Sequence, residues 1–212
     1  MRAVVFVNGE ITDDAQARRW LQPDDFLICA DGGTRHCLRL AGRPNVVVGD
    51  LDSLAPELVA ELAASGVEIE RHPARKAKTD LELALEFAIR RGAQQLVLLG
   101  ALGGRLDQTV ANLLLLARAG WSVPIFVAEA NQLAQVLEGE AQLTLTAPAG
   151  STVSVVALSD TVTGITYRGL EYPLDNFTLP LGSTRGMSNV VVTAPATIRI
   201  SGGRLLVVQT FV

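Results

Sequence analysis

Three aspartates stand where short apolar runs end. Asp31 follows Phe26–Ala30, and Asp50 and Asp52 follow Asn45–Val48 within Gly49-Asp50-Leu51-Asp52-Ser53. If those runs are parallel strands, their carboxyl ends share one edge of a sheet, the edge at which open α/β sheets bind ligands. Side chains at i and i+2 of an extended segment point the same way, so Asp50 and Asp52 form a pair. Paired carboxylates repel unless a cation lies between them. Mg²⁺ takes oxygen ligands of this kind and completes its shell with waters and substrate phosphates. Taken alone, the pair reads first as a solvated acidic turn capping the helix that Pro56 opens.

A further aspartate lies in Thr79-Asp80, ahead of Leu81, Leu85, Ala88 and Ile89, which share one helix face. Thr79 suits the cap of that helix and Asp80 its first turn. The functional alternative makes Asp80 a metal ligand and Lys76 a phosphate contact. Gly103-Gly104-Arg105-Leu106-Asp107-Gln108 also follows an apolar run and opens a helix. Backbone N–H groups and the helix dipole at such a start favour phosphate, and Arg105 can grip phosphoryl oxygens at two points. The segment is neither a Walker A loop nor a dinucleotide fingerprint, since no Gly-Lys-Ser/Thr closes it. Asn8-Gly9 offers one more backbone contact for phosphate. In the second half, Arg185-Gly186-Met187-Ser188-Asn189 is a polar turn before a strand-like run. His36 and His72 have neither triad nor metal spacing and read as incidental. Trp20 and Trp121 read as packing residues.

The elements that must position these residues follow from the apolar pattern. Ala3–Val7, Phe26–Ala30, Asn45–Val48, Val67–Arg71, Leu96–Leu99 and Val123–Val127 read as buried strands. Between them, helical patterns cover Asp13–Leu21, Thr34–Leu40, Pro56–Ala64, Asp80–Arg91 and Gln108–Ala119, with Thr12 or Asp13 capping the first. Alternating strands and helices with continuous apolar strands indicate a parallel, helix-covered sheet. From Gln142 onward the texture changes to Thr/Val-rich runs without a good helix. Thr152–Leu158, Val190–Val192, Thr197–Ile200 and Leu205–Gln209 are strand-like, and Gly202-Gly203 between the last two signals a hairpin. The sequence therefore predicts an α/β fold class in two domains. Residues 1–133 form a mostly parallel α/β/α sandwich, and residues 134–212 a smaller antiparallel β-sandwich.

Composition narrows the possible partners. The 212 residues are 49% hydrophobic and carry a net charge of −4, so a large core is available and no general attraction to nucleic acid or anionic membrane exists. An anionic substrate would need local cations or a metal. Mean hydropathy is +0.31, yet no apolar run reaches the ~18 residues of a membrane helix. Cys29 and Cys37 form no disulfide framework and read as free thiols of a reducing, cytoplasmic compartment.

The motifs gain force as an ordered set. Ala30-Asp31-Gly32-Gly33, Gly49-Asp50-Leu51-Asp52-Ser53, Lys76 with Thr79-Asp80, Gly104-Arg105-Leu106-Asp107-Gln108 and Gly186-Met187-Ser188-Asn189, in this order and spacing, resemble the thiamine pyrophosphokinase family over about residues 3–210. The resemblance implies an α/β catalytic domain, a β-sandwich domain and a homodimer with the thiamine site at its interface. It implies that Asp50, Asp52 and Asp80 hold Mg²⁺ against the ATP phosphates, with Asp31 beside them near the thiamine hydroxyl. Asn8, Gly9, Lys76, Thr79, Gly104 and Arg105 fall on the phosphate side. Asp107, Gln108, Ser188 and Asn189 fall on the thiamine side. Two positions depart from the pattern: Gln108 stands where many bacterial members have His, and Ala77 where many have Asp. The alternatives to thiamine pyrophosphorylation are the same chemistry on another hydroxymethyl heterocycle, such as a pterin, and a non-catalytic nucleotide or thiamine sensor.

Overall fold

The six apolar runs of the first half form strands β1 (Arg2–Phe6), β2 (Phe26–Ala30), β3 (Val46–Gly49), β4 (Glu68–Arg71), β5 (Gln95–Leu99) and β6 (Ile125–Glu129). Between them lie helices α1 (Asp14–Arg18), α2 (Thr34–Leu40), α3 (Pro56–Ala64), α4 (Asp80–Arg90) and α5 (Leu106–Leu116). A computed structural model describes all residues, 1–212. It divides the chain into two units, Met1–Ala130 and Asn131–Val212. In the first unit the strand order is β6-β5-β1-β2-β3-β4, and each neighbouring pair is parallel. Strands such as Val46–Gly49 are buried along their whole length, as a sheet covered by helices requires. Helix α4 lies against β1, β2 and β3, and α2 against β1 and β2.

Local chemistry sets the helix ends. Asp13 caps α1 by accepting from the N–H groups of Ala15 and Gln16. Thr79 caps α4, its Oγ1 accepting from Glu82 N–H at 3.2 Å. Pro56 opens α3, where its missing N–H removes no helical bond. The first helix is shorter than its apolar pattern and ends at Arg18, and α5 starts two residues earlier than expected, at Leu106.

The second unit contains strands and no helix: β7 (Gln132–Glu138), β8 (Ala141–Thr144), β9 (Thr152–Ala157), β10 (Thr161–Arg168), β11 (Phe177–Pro180), β12 (Asn189–Val190), β13 (Thr197–Ile200) and β14 (Arg204–Thr210). Within this unit the order β12-β9-β14-β7 forms one antiparallel sheet and β11-β10-β13-β8 another. Alternate residues of both, among them Val153, Val155, Ile165, Tyr167, Ile198, Ile200, Leu205 and Val207, form one buried core. This is the period-two signature of a sandwich. The Gly202-Gly203 hairpin expectation is corrected here. Strand β13 pairs with β8 and β10, whereas β14 pairs with β7 and β9. The glycines therefore carry the chain from one sheet to the other, and the two flanking strands do not pair.

Candidate active site

The strand order creates the site. The chain steps outward from β1 to β4 and then returns to place β5 on the other flank of β1. Neighbouring connections diverge at that reversal and leave a crevice beyond the carboxyl ends. The loops leaving β1 and β5 are laced together there: Gly9 N–H donates to Gly100 O and Glu10 N–H to Leu102 O, each at 2.8 Å. A Cβ on Gly9 would lie 2.2 Å from Leu102 O, so only glycine permits this approach. Asn8 and Gly9 both line the crevice, with the Gly9 N–H engaged by Gly100 O. The crevice is a cavity of about 420 Å³.

Its floor is acidic. One carboxylate oxygen from each of Asp31, Asp50 and Asp52 lies within 4.8 Å of the others. Asp31 is 7% exposed, adopts φ +44°, and its Oδ1 is buried without a hydrogen-bond partner. A buried, unpaired carboxylate oxygen beside two further acids is costly. This donor set of hard oxygens fits a divalent cation such as Mg²⁺. Asp80 stands outside the trio, across Gly49. A Cβ at Gly49 would meet Asp31 Cβ and Asp80 Oδ1, each at 3.0 Å, so glycine keeps the space between those acids open.

Lys76 bridges the two groups of acids. Its Nζ lies 3.0 Å from Asp50 Oδ2 and 3.0 Å from Asp80 Oδ1. The first contact is a hydrogen bond. The second is an ion pair only, because Asp80 Oδ1 has no partner in hydrogen-bonding geometry. The hydrogen bond from Lys76 holds the Asp50 carboxyl below its usual range. Partial burial raises Asp80, the charges of Asp50 and Asp31 push the same way, and Lys76 opposes them. Burial works against the Lys76 charge, but Asp80 and Asp50 outweigh it and raise its pKa.

The remaining expected residues divide by location. Thr79, Arg105 and Gln108 line the crevice, and Gly103 does so where Gly104 does not. Arg105 and Asp107 are paired with each other through contacts of 2.6 and 3.1 Å, and both are largely exposed. In the second unit, Ser188 adopts φ +57° and donates its N–H to Ser154 Oγ. Asn189 is buried and its amide is engaged on the backbone. Its Oδ1 accepts from Tyr172 and Val190 N–H at 3.0 and 2.9 Å, and its Nδ2 donates to Tyr172 O at 2.8 Å. The structure therefore gives Asn189 the task of holding the Tyr172 loop.

Other site residues escaped the sequence reading. Asn112, a polar residue within the apolar Val110–Leu116 run of α5, is buried, donates to Ala101 O at 2.7 Å and lines the crevice. An amide inside an apolar helical run was the available signal. Lys78 also lines the crevice while its ammonium pairs with Glu86 at 2.7 Å. Tyr167 carried no local signal, yet its hydroxyl is buried without a partner beside a cavity of about 360 Å³ in the second unit. Burial raises its pKa.

The chain thus combines a parallel α/β unit, with an acidic crevice at its strand reversal, and an antiparallel sandwich unit. Residues 17–127 match the family described as thiamin pyrophosphokinase, catalytic domain. Residues 140–205 match thiamin pyrophosphokinase, vitamin B1 binding domain. A thiamine pyrophosphokinase from Bacillus subtilis is 26% identical over 185 residues, covering 86% of each chain. The crystal structure of a thiamin pyrophosphokinase from Geobacillus thermodenitrificans is similar at 31% identity and TM-score 0.80, covering 99% of this chain and 97% of that one. A yeast thiamin pyrophosphokinase shares the fold at TM-score 0.75 and 17% identity, covering 99% of this chain and 86% of that one. The chain belongs to the thiamin pyrophosphokinase family of enzymes.

Proposed function

We propose that the protein transfers the pyrophosphoryl group of ATP to the hydroxyl of thiamine, releasing AMP and thiamine diphosphate. The observation that carries this reading is the trio of Asp31, Asp50 and Asp52, with its buried unpaired oxygen, in the crevice of a net-acidic chain. Asp50, Asp52 and Asp31, with Asp80 alongside, would hold Mg²⁺, which supplies charge neutralisation for phosphate oxygens when bound. Lys76, freed from Asp50 and Asp80, presents its ammonium to the polyphosphate. Arg105, freed from Asp107, does the same at the mouth. The chain otherwise aligns the two substrates, since phosphoryl transfer asks mainly for position and charge from the protein. Residues 1–133 serve as the ATP and Mg²⁺ domain and 134–212 as the thiamine domain, with Asp107, Gln108 and Ser188 on the thiamine side. Asn189 contributes by holding the neighbouring loop. AMP release in the presence of ATP and Mg²⁺, compared between thiamine and a hydroxymethyl pterin, tests the reading. Release that needs no thiamine, or that the pterin supports better, contradicts it.

The enzyme acts as a homodimer in this reading. Leu106, Val110 and Leu114 form an i, i+4, i+8 stripe on α5 and are 77, 47 and 56% exposed. Such a stripe calls for an apolar partner, and a second copy supplies the same surface under two-fold symmetry. Light scattering is expected to give twice the chain mass of 22.5 kDa, and Val110→Lys with Leu114→Lys one chain mass. Refolded mixtures of Asp52→Asn and Ser188→Ala chains are expected to recover activity if the site is shared between copies. Heterodimers without recovery contradict the sharing. Buried free thiols at Cys29 and Cys37 suit the reducing cytoplasm in which we place the enzyme.

A further inference from the structure

Three consecutive residues in the first turn of α2 each bond a backbone carbonyl at the crevice, two of them on other segments of the chain. Thr34 Oγ1 donates to Asp31 O at 2.7 Å. The Arg35 guanidinium donates to Ser53 O, next to Asp52. His36 Nε2 bonds Gly9 O at 2.8 Å. These three segments carry Asp31, Asp52 and Asn8 into the crevice.

The direction of the histidine bond follows from its neighbour. Arg39 Nη2 lies 2.9 Å from His36 Nδ1, and a guanidinium can only donate. Nδ1 is therefore the acceptor, and Nε2 carries the hydrogen that goes to Gly9 O. Arg39 is itself held by an ion pair to Asp14 at the start of α1. The chain Asp14, Arg39, His36, Gly9 thus runs from the exposed helix faces to the β1 loop. His36 Cδ2 also lies 3.4 Å from where a Cβ on Gly100 would stand, so the imidazole packs against both laced loops.

We infer that His36 is a positioning residue for the nucleotide. Through Gly9 O it fixes the Asn8-Gly9 turn at the reversal of the sheet, and so sets Asn8 against the phosphate side of the crevice. Arg35 fixes the Asp52 loop in the same way, while Thr34 closes the 3-10 turn that carries Asp31 into α2. The histidine touches no substrate in this account and acts only through the backbone it holds. The inference rests on the reading of the crevice as an ATP site.

The test is calorimetric binding of the Mg²⁺ complex of α,β-methylene-ATP, a readout that does not require turnover. His36→Leu removes the donor. His36→Gln keeps an N–H that can reach Gly9 O and an oxygen that can accept from Arg39. The Kd is expected to rise about 10-fold for His36→Leu, equivalent to about 1.4 kcal/mol, and to stay within about 2-fold for His36→Gln. Should His36→Leu fail to fold, His36→Phe keeps a ring without the donor and carries the same expectation. An unchanged Kd in the donor-less variant overturns the inference. So does an equal loss in His36→Gln, since bulk and not the hydrogen bond would then be what matters. If the unsubstituted protein binds the analogue but forms no AMP with thiamine, the proposed reaction fails while this comparison still stands.

Discussion

Replacing Asp31 by Asn separates the needs of the site from the needs of the fold. Asn has the shape of Asp and tolerates the left-handed backbone found at this position, φ +44°. What changes is one negative charge whose carboxylate lies within 4.8 Å of those of Asp50 and Asp52. At that separation two unit charges repel by about 3.5 kcal/mol at an effective dielectric of about 20. Asp50 is already paired with Lys76 and Asp52 is exposed. Pairing and solvent screening reduce the net relief to about 1–2 kcal/mol. For a chain of this size that is about 2–8 °C in Tm. Asp31→Asn is therefore expected to melt higher than the unsubstituted protein in excess EDTA. The same change should lower turnover with saturating Mg²⁺ and ATP by at least about 100-fold, or about 3 kcal/mol. Scanning calorimetry in EDTA and an AMP-release assay measure the two sides. A lower Tm in EDTA, or near-normal turnover, refutes the reasoning that these carboxylates are gathered for a cation.

Asp50→Asn and Asp52→Asn are each expected to lower turnover at least about 100-fold with unchanged circular dichroism; normal activity and normal Mg²⁺ dependence in both contradict the assignment. Asn189→Ala removes the part-buried amide bonds that hold the Tyr172 backbone and is expected to cost about 1–2 kcal/mol, or about 2–8 °C in Tm. A raised thiamine KM with unchanged Tm would instead make Asn189 a direct contact. Glu86 is held below its usual range chiefly by the hydrogen bond from Lys78, with Arg118 adding to it. Its contribution is present above the unfolded carboxyl pKa of about 4.3 and is lost as pH falls through the lower folded value. Glu86→Gln is expected to lose up to about 1 kcal/mol at pH 7, and the gap from the unsubstituted protein should close in acid. A gap that persists at low pH contradicts the ion-pair account.

The parallel sheet was legible because strands buried on both faces read as unbroken apolar runs, as Ala3–Val7 and Val46–Val48 do. The convergence of Asp31, Asp50 and Asp52 followed from their places at strand ends. The second unit was harder to read. Strand β10 contains Gly164, and its pairing with β11 shifts register between Val162 and Ile165, so its alternation breaks midway. Gly202-Gly203 looked like a hairpin because sequence does not say which sheet each flanking strand joins. His36 read as incidental for a similar reason. Its meaning depends on a carbonyl 27 residues away, and only the packing of α2 over the paired strands β1 and β2 brings the Gly9 turn to it. The pairing of Arg105 with Asp107, and the engagement of the Asn189 amide by Tyr172, are rotamer and loop outcomes that residue type alone leaves open.

In the proposed reaction the thiamine hydroxyl attacks the β-phosphorus of ATP and AMP leaves. Phosphorus NMR of the protein with ATP, Mg²⁺ and thiamine reads this step. AMP and thiamine diphosphate should grow together, one for one, as ATP declines, with no ADP formed. ADP accompanied by thiamine monophosphate would contradict the account.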